Sequence, residues 1–240
     1  MQQSTDRPFV LHRDADLLVV YKPPFLPTTS NGQQPCLVDW VKAQDPQAPQ
    51  LHPTSRLDSP VSGLVTFART KKANAHLLTM RTEGSYQRSY LALCQHPPTP
   101  SSGDWHWSIG LDPNNRKARR IDGLAAKAAH THYRCLLPDS LEQTEHPSIN
   151  VLKLWPRTGR THQLRVHAAQ AGSPLWGDRL YGGPLRYTAA DGSVIDAPRV
   201  MLHCTQLSFP AIKEGHKELA FELPMPEDMQ QFLNQVSLQG

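Results

Sequence analysis

Ten consecutive residues carry most of what this sequence reveals about fold and function: Thr158-Gly159-Arg160-Thr161-His162-Gln163-Leu164-Arg165-Val166-His167. The segment holds two arginines, two histidines, two threonines and a glutamine, more hydrogen-bond donors than a core segment normally carries. Its apolar residues continue at helical spacing to Ala168 and Ala171, which predicts a helix from about Arg160. The start of a helix presents unpaired backbone N–H groups and a positive dipole end, so the segment is expected to bind a polyanion.

A second compact signal lies about a hundred residues upstream, in Arg56-Leu57-Asp58-Ser59-Pro60-Val61-Ser62-Gly63. Asp58 has two interpretations from the residues alone. It can be an ordinary turn aspartate, since Asp-Ser-Pro favours a turn. It can instead be a nucleophile or general base that an arginine keeps ionised, and Arg165 is the partner we favour because it lies off the apolar stripe of the predicted helix.

Composition places few limits on the function. The chain has 240 residues, 38% hydrophobic and 19% charged, and no apolar run long enough to span a bilayer. The polar N-terminus lacks a signal-peptide core, so we expect a cytoplasmic protein that has no membrane contact. The sequence has no obvious association helix, so we expect a monomer. Four scattered cysteines argue against both a disulfide framework and a cysteine-rich zinc site. The net charge of +4 permits RNA binding without requiring it.

Strand patterns outnumber helix patterns along the chain, which predicts an α+β fold with a mixed, mainly antiparallel sheet and flanking helices. Residues 112–127 have no periodic apolar face, and we expect them to be a mobile insertion. The predicted strands cover residues 16–22, 63–68, 90–94, 105–109, 129–137, 151–155, 200–209 and 217–223, and the other predicted helices begin near residues 37, 71 and 226. In the strand at 129–137, Ala129, Thr131, Tyr133, Cys135 and Leu137 are expected to share one face.

Metal and nucleotide sites are not expected. His162 and His167 are five residues apart, which is not the i, i+4 spacing of helical zinc ligands. His130 and His132 alternate along a predicted strand and have no acidic residue near them in the sequence. The chain has no G-x-G-x-x-G, Walker or G-x-S-x-G motif, so dinucleotide, nucleoside triphosphate and serine-hydrolase chemistry lack support.

Several ordered motifs together resemble the RluA-type pseudouridine synthases over nearly the whole chain. A lone R-L-D would carry no weight, but the collinear order of the motifs is specific. They are Leu17–Pro24 (opening strand and Lys-Pro turn), Arg56–Gly63 (R-L-D-x-x-x-S-G), Tyr90 (K-x-Y tyrosine), Lys127–Tyr133 (K-x-A-x-T-x-Y), Thr158–Gly182 (T-G-R-x-H-Q-x-R-x-H…G-x-P-x-x-G-D-x-x-Y-G) and Arg199–Cys204 (R-x-x-L-H-A).

The resemblance implies a pseudouridine synthase fold with a central RNA-binding cleft and the isomerisation of uridine in RNA without metal or cofactor. It implies that Asp58 is the catalytic aspartate and that Arg165 is its salt-bridge partner. Tyr90 would stack on the target uracil and help move a proton, although a strand aromatic in the core is an equally good interpretation of the residue alone. Residues 1–240 would form a single catalytic domain without a separate N-terminal RNA-binding domain.

The expected partner is a structured RNA, ribosomal or transfer. The residues expected to contact it are Lys22, Arg56, Arg116, Arg119, Arg160 and His162. Ser55, Val61 and Ala126 depart from the family pattern, which keeps a non-catalytic RNA-binding module on the same fold as the alternative. An aspartate-dependent hydrolase of a small phosphorylated substrate is a third hypothesis, but it would need a metal site or a second carboxylate.

Overall fold

The computed structural model describes residues 6–30, 32, 34–136, 149–212 and 218–239. The chain forms two compact units, one from Met1–Arg88 with Cys204–Pro224 and one from Ser89–His203 with Met225–Gly240. We call them unit 1 and unit 2 and describe each by itself. The elements are β1 (Phe9–Arg13), β2 (Leu17–Lys22), α1 (Leu37–Gln44), β3 (His52–Pro53), β4 (Ser62–Ala68), α2 (Lys71–Glu83), β5 (Gln87–Cys94), β6 (Ser102–Trp105), β7 (Ile109–Leu111), β8 (Arg119–Ile121), β9 (Leu124–Lys127), β10 (Thr131–Leu136), β11 (Asn150–Pro156), α3 (Gln163–Gln170), a 3₁₀ turn (Arg179–Tyr181), β12 (Arg186–Thr188), β13 (Val194–Asp196), β14 (Leu202–Phe209), β15 (Leu219–Glu222) and α4 (Glu227–Ser237).

Unit 1 is built on β2 and β4, which pair antiparallel from Leu17 opposite Ala68 to Lys22 opposite Gly63. Every residue of these two strands is buried, which explains why both are nearly continuous apolar runs in the sequence. Gly63 has φ +126, and a Cβ there would lie 2.3 Å from the carbonyl oxygen of Cys204 in β14. A glycine is therefore required where β4 meets β14.

Unit 2 contains an antiparallel sheet in the order β5, β11, β10, β6. The predicted alternation in β10 is confirmed for its described residues, since Thr131, Tyr133 and Cys135 are buried and their neighbours are not; Leu137 lies outside the described residues. A core cluster joins this sheet to α4, with Trp176 packed edge-on against Phe232. The core therefore explains the apolar face of the terminal helix.

Three local predictions were wrong. Residues 112–127 are not an insertion without structure, because β8 and β9 both pair with β7 in a small antiparallel sheet. These strands are short and β9 is fully exposed, so they leave no apolar periodicity. The predicted strand at 105–109 instead spans the connection between two strands, since β6 ends at Trp105 and β7 begins at Ile109. The helix expected from about Arg160 begins at Gln163. Among the described residues, no helix is both long and apolar enough to cross a bilayer.

Candidate active site

Asp58 lies in unit 1, in the segment that connects β3 to β4. The amide of Val61 donates to its backbone carbonyl at 3.0 Å, which closes the turn expected from Asp-Ser-Pro. Asp58 is partly exposed, while Leu57 before it is buried and Arg56 is exposed. The turn interpretation is therefore correct for the backbone, and it leaves the role of the carboxylate open.

Lys22 fixes the residue that follows Asp58. The lysine is fully buried, and its ammonium donates to the carbonyl oxygens of Pro23, Leu26 and Ser59 at 2.9, 2.7 and 3.1 Å. An ammonium has three N–H donors, so these three contacts match its capacity. These contacts hold the backbone around Asp58, and the contact of Lys22 with RNA stays a prediction.

Thr28 fixes the residue that precedes Asp58. The amide of Leu57 donates to the Thr28 hydroxyl oxygen at 3.1 Å, and the same hydroxyl donates to the Leu57 carbonyl at 3.0 Å. Thr28 is itself buried. Asp58 is thus held between two anchored neighbours, Leu57 and Ser59, and its backbone has little freedom. Sequence reasoning missed Thr28, which no motif marks.

The start of α3 in unit 2 is organised by Gln163. Its side-chain oxygen accepts the Thr158 hydroxyl at 2.7 Å and the Arg160 amide at 3.0 Å. Its side-chain nitrogen donates to the His130 carbonyl at 2.9 Å and to the Thr131 hydroxyl oxygen at 3.0 Å. These four hydrogen bonds tie the loop before α3 to the Gln163 side chain and hold it in one conformation. This network explains why the helix begins at residue 163.

The network continues to His167, which is fully buried. One ring nitrogen, Nε2, lies 3.0 Å from the Trp107 carbonyl, which can only accept, so Nε2 carries the proton. The other, Nδ1, then accepts the Thr131 hydroxyl at 3.0 Å. Burial lowers the pKa of His167 to about 4, so this side chain is neutral at physiological pH. It is a structural part of the segment.

Arg165 forms a buried bidentate pair with Asp178. Its Nε donates to Oδ2 and its Nη2 to Oδ1, both at 2.7 Å, and the two residues are 5% and 0% exposed. These bonds engage two of the five guanidinium N–H donors, so a contact with a second carboxylate is chemically compatible with them. The pairing of Arg165 with Asp58 stays a prediction.

Tyr181 joins three of the predicted residues in unit 2. Its ring lies 5.0 Å from the guanidinium carbon of Arg165, within cation–π range. Its hydroxyl accepts the Arg119 amide at 2.9 Å and shares a 2.7 Å hydrogen bond with Nδ1 of His162. His162 has φ +57 and directly precedes α3. Sequence reasoning assigned no role to Asp178 or Tyr181, although the quoted G-D-x-x-Y-G motif contains both.

The remaining predicted residues are placed as follows. Tyr90 is buried in β5, opposite Leu154 of β11. Arg160 and Arg116 are exposed; Nε of Arg160 donates to the Ala128 carbonyl at 3.0 Å. Arg119 is half-buried, and one of its terminal nitrogens donates to the Ala118 carbonyl. In unit 2 the structure thus brings Arg119, His162 and Arg165 together around Tyr181.

The comparison with protein families agrees with these motifs. The sequence model of the RNA pseudouridylate synthase family matches residues 16–170, which include Asp58, Tyr90 and Arg165.

The chain belongs to the RNA pseudouridylate synthase family.

Two curated members of this family illustrate the likeness. The ribosomal large subunit pseudouridine synthase D of Neisseria meningitidis is 31% identical over 242 residues, which cover 96% of this chain. The chain spans only 62% of the length of that relative. The dual-specificity RNA pseudouridine synthase RluA of Escherichia coli K12 is 30% identical over 220 residues, with 90% of this chain and 92% of the relative covered.

Solved structures of the family confirm the predicted fold class. The human RNA pseudouridylate synthase domain containing 4 protein has a TM-score of 0.72 at 24% identity, with 95% of this chain and 92% of that one covered. The corresponding domain containing 1 protein gives 0.66 at 22% identity, with 98% and 97% covered. The α+β pseudouridine synthase fold is therefore the fold of this chain. The family match ends at residue 170, so Asp178 and Tyr181 lie beyond it.

Proposed function

We propose that this chain is an RNA pseudouridine synthase, an isomerase that converts uridine in a structured ribosomal or transfer RNA to pseudouridine without metal or cofactor. Family membership supports the reaction class. The observation that carries the proposal is the anchoring of Leu57 and Ser59 on either side of Asp58, since a group that reacts must be held in a defined geometry.

Asp58 is the proposed catalytic carboxylate. Cleavage and re-formation of a glycosidic bond require access to the base, so the uridine must leave its stack at a cost of a few kcal/mol. Arg56, exposed two residues away, is the proposed occupant of the space left by the flipped nucleotide. Tyr90 is proposed to stack on the uracil and to assist proton transfer. Arg165 is proposed to orient Asp58 and to keep it ionised.

Exposed arginines supply the proposed RNA contacts. Arg56, Arg116 and Arg160 are exposed and suited to phosphate contacts. His162 and Arg119, which are half-buried, are also proposed to contact the RNA. If each arginine neutralises one phosphate, replacing it by alanine should reduce the slope of log affinity against log salt by about 0.7 on single-stranded RNA. An unchanged slope in all three variants would remove them from the interface.

We propose that the protein acts as a cytoplasmic monomer.

The central experiment compares Asp58→Asn with the wild type in tritium release from RNA that carries 5-tritiated uridine. Turnover should be abolished while RNA affinity in a filter-binding assay is retained. Asp191→Asn is the matched control, because Asp191 is an exposed turn aspartate whose partners are in its own turn. Turnover that persists in Asp58→Asn would exclude Asp58 as the catalytic group.

The same assays separate the alternatives. A non-catalytic RNA-binding module would bind RNA and convert no uridine across a complete transcript pool. A hydrolase of small phosphate esters would release phosphate in a reaction stimulated by added magnesium. Mapping pseudouridines in total RNA from a deletion strain and its parent would identify the modified RNA.

A further inference from the structure

An exposed group of one aspartate and three histidines lies at the edge of the unit 2 sheet. β6 and β10 pair antiparallel, with His132 directly opposite Asp104 and Thr131 opposite Trp105. Side chains that are directly opposite share a face of the sheet, so His132 and Asp104 project from the same side. His130 precedes β10 and His106 follows β6, which brings both to the same place. The sequence alone gave His130 and His132 no acidic neighbour, and Asp104 corrects that expectation.

The side chains are already in close contact. Oδ1 of Asp104 lies 2.6 Å from Nε2 of His130, and Oδ2 lies 3.3 Å from Nδ1 of His132. The rings of His106 and His130 stack, with centroids 4.2 Å apart. One ligand atom from each of Asp104, His106 and His130 lies within 4.8 Å of the other two.

We propose that Asp104, His106 and His130 bind a zinc-class divalent cation. Two imidazole nitrogens and one carboxylate oxygen form a ligand set typical of Zn²⁺, and they disfavour Mg²⁺, which requires oxygen ligands. Bond lengths of about 2.0–2.2 Å to a tetrahedral zinc place the ligand atoms roughly 3.3–3.5 Å apart. In the structure Oδ1 of Asp104 and Nε2 of His130 are 2.6 Å apart, and the three ligand atoms all lie within 4.8 Å of one another. The side chains of Asp104 and His130 are partly exposed and can reach the spacing for zinc by rotation about χ1 and χ2.

The surroundings of the three ligands support a cation more than a simple hydrogen-bonded group. His132 holds the second oxygen of Asp104, which is how a neighbouring group orients a ligating carboxylate. The His130 backbone carbonyl is fixed by Gln163, so this ligand stands on a rigid segment. A bound ion would join β6 to β10 through side chains as well as through their backbone pairing. The inference concerns binding alone and does not depend on the proposed isomerase activity.

The test is a calorimetric titration of Zn²⁺ into the untagged 240-residue chain, freed of metal by a chelator. One ion per chain should bind, and His106→Ala and His130→Ala should each weaken binding by more than about tenfold, since even outer partners of metal ligands cost 10–100-fold. His76→Ala is the matched control, because His76 is an exposed histidine on α2, and it should leave the affinity unchanged. Mg²⁺ in excess should not compete.

Two further measurements keep the test independent of folding defects. Asp104→Asn keeps the size of the side chain and removes its charge, and it should weaken binding while far-ultraviolet circular dichroism stays as in the wild type. Zn²⁺ should raise the thermal midpoint of the wild type and of His76→Ala, and not that of His106→Ala. Absence of stoichiometric binding, or equal Zn²⁺ affinity in the wild type and both histidine variants, would overturn the site.

Discussion

Asp178→Asn should be among the most damaging conservative changes in this protein. The variant keeps the shape of the side chain and one acceptor oxygen, but it removes the charge that faces the Arg165 guanidinium across two 2.7 Å hydrogen bonds. Both partners are almost fully buried, so water cannot replace the lost carboxylate. Removing one member of a buried pair costs about 3–5 kcal/mol, and in Asp178→Asn the buried guanidinium loses the carboxylate that accepts two of its N–H groups.

An exposed pair in the same unit provides the control. Arg186 and Asp196 lie 3.4 Å apart, with side chains 66% and 68% exposed, and such pairs contribute about 0–1 kcal/mol. Urea unfolding should therefore show Asp178→Asn less stable than Asp196→Asn by about 2 kcal/mol or more. Similar unfolding free energies for the two variants would refute the reasoning from burial.

Tritium release tests whether the pair also positions Arg165 for the reaction. If it does, kcat should fall in Asp178→Asn while KM for RNA changes little, because the misplaced group acts on chemistry and not on binding. An apolar double variant, Arg165→Met with Asp178→Leu, should regain much of the lost stability without regaining turnover. Full turnover in Asp178→Asn at saturating RNA would show that Arg165 does not depend on Asp178.

Three further predictions follow from single sites. Burial lowers the pKa of His167 to about 4, below the unfolded value of about 6.5, so the unfolded chain binds a proton more readily between these two pH values. The free energy of unfolding should therefore fall by about 1.4 kcal/mol per pH unit from about pH 6.5 toward pH 4. Urea unfolding should show this loss, and His167→Gln should make the free energy of unfolding depend less steeply on pH. Gly177→Ala would place a Cβ 1.7 Å from the Arg199 carbonyl oxygen. Gly182 has the same φ of +76 but open space around it, so Gly182→Ala should cost only the backbone strain of about 1–2 kcal/mol. The thermal midpoint should therefore fall far more in Gly177→Ala than in Gly182→Ala, and equal losses would contradict the steric argument. Ser55→Ala removes a buried hydroxyl that has no hydrogen-bond partner among the described residues, and its free energy of unfolding should equal or exceed that of the wild type, whereas a loss above about 1 kcal/mol would contradict this view of the site.

The sequence predicted those elements whose pattern depends on a continuous buried face. β2, β4 and β10 follow from apolar runs or alternation, and α2 ends at Gly84, whose φ of +82 suits a helix terminus. β8 and β9 could not be predicted in the same way, because short exposed strands leave no hydrophobic period. The start of α3 was misplaced because a side chain, Gln163, and not the apolar stripe, determines where the loop ends.

The burial of Lys22, which the sequence did not predict, has a specific physical cause. A lysine that ends an apolar strand before two prolines has every sign of an exposed residue. Prolines have no N–H, however, so the turn after β2 is poor in backbone donors, and its carbonyl oxygens need partners from elsewhere. The Lys22 ammonium supplies them, at Pro23 and Leu26. Such a three-dimensional accounting of donors and acceptors is not visible in a linear motif.

The anchors around Asp58 also indicate how the predicted roles are divided. Burying an ammonium costs several kcal/mol unless its donors are satisfied, and an apolar side chain of similar size would avoid that cost. An apolar side chain in place of Lys22 could not donate to the Ser59 carbonyl. An apolar side chain in place of Thr28 could not bind the amide and the carbonyl of Leu57. Polar groups in the core of unit 1 are therefore best explained by the precision they impose on the Asp58 turn. In unit 2, Asp178 and Tyr181 fix Arg165 in the same manner. Asp58, the proposed catalytic carboxylate, and Arg165, its proposed orienting partner, are thus each held by neighbours that have no proposed part in the reaction.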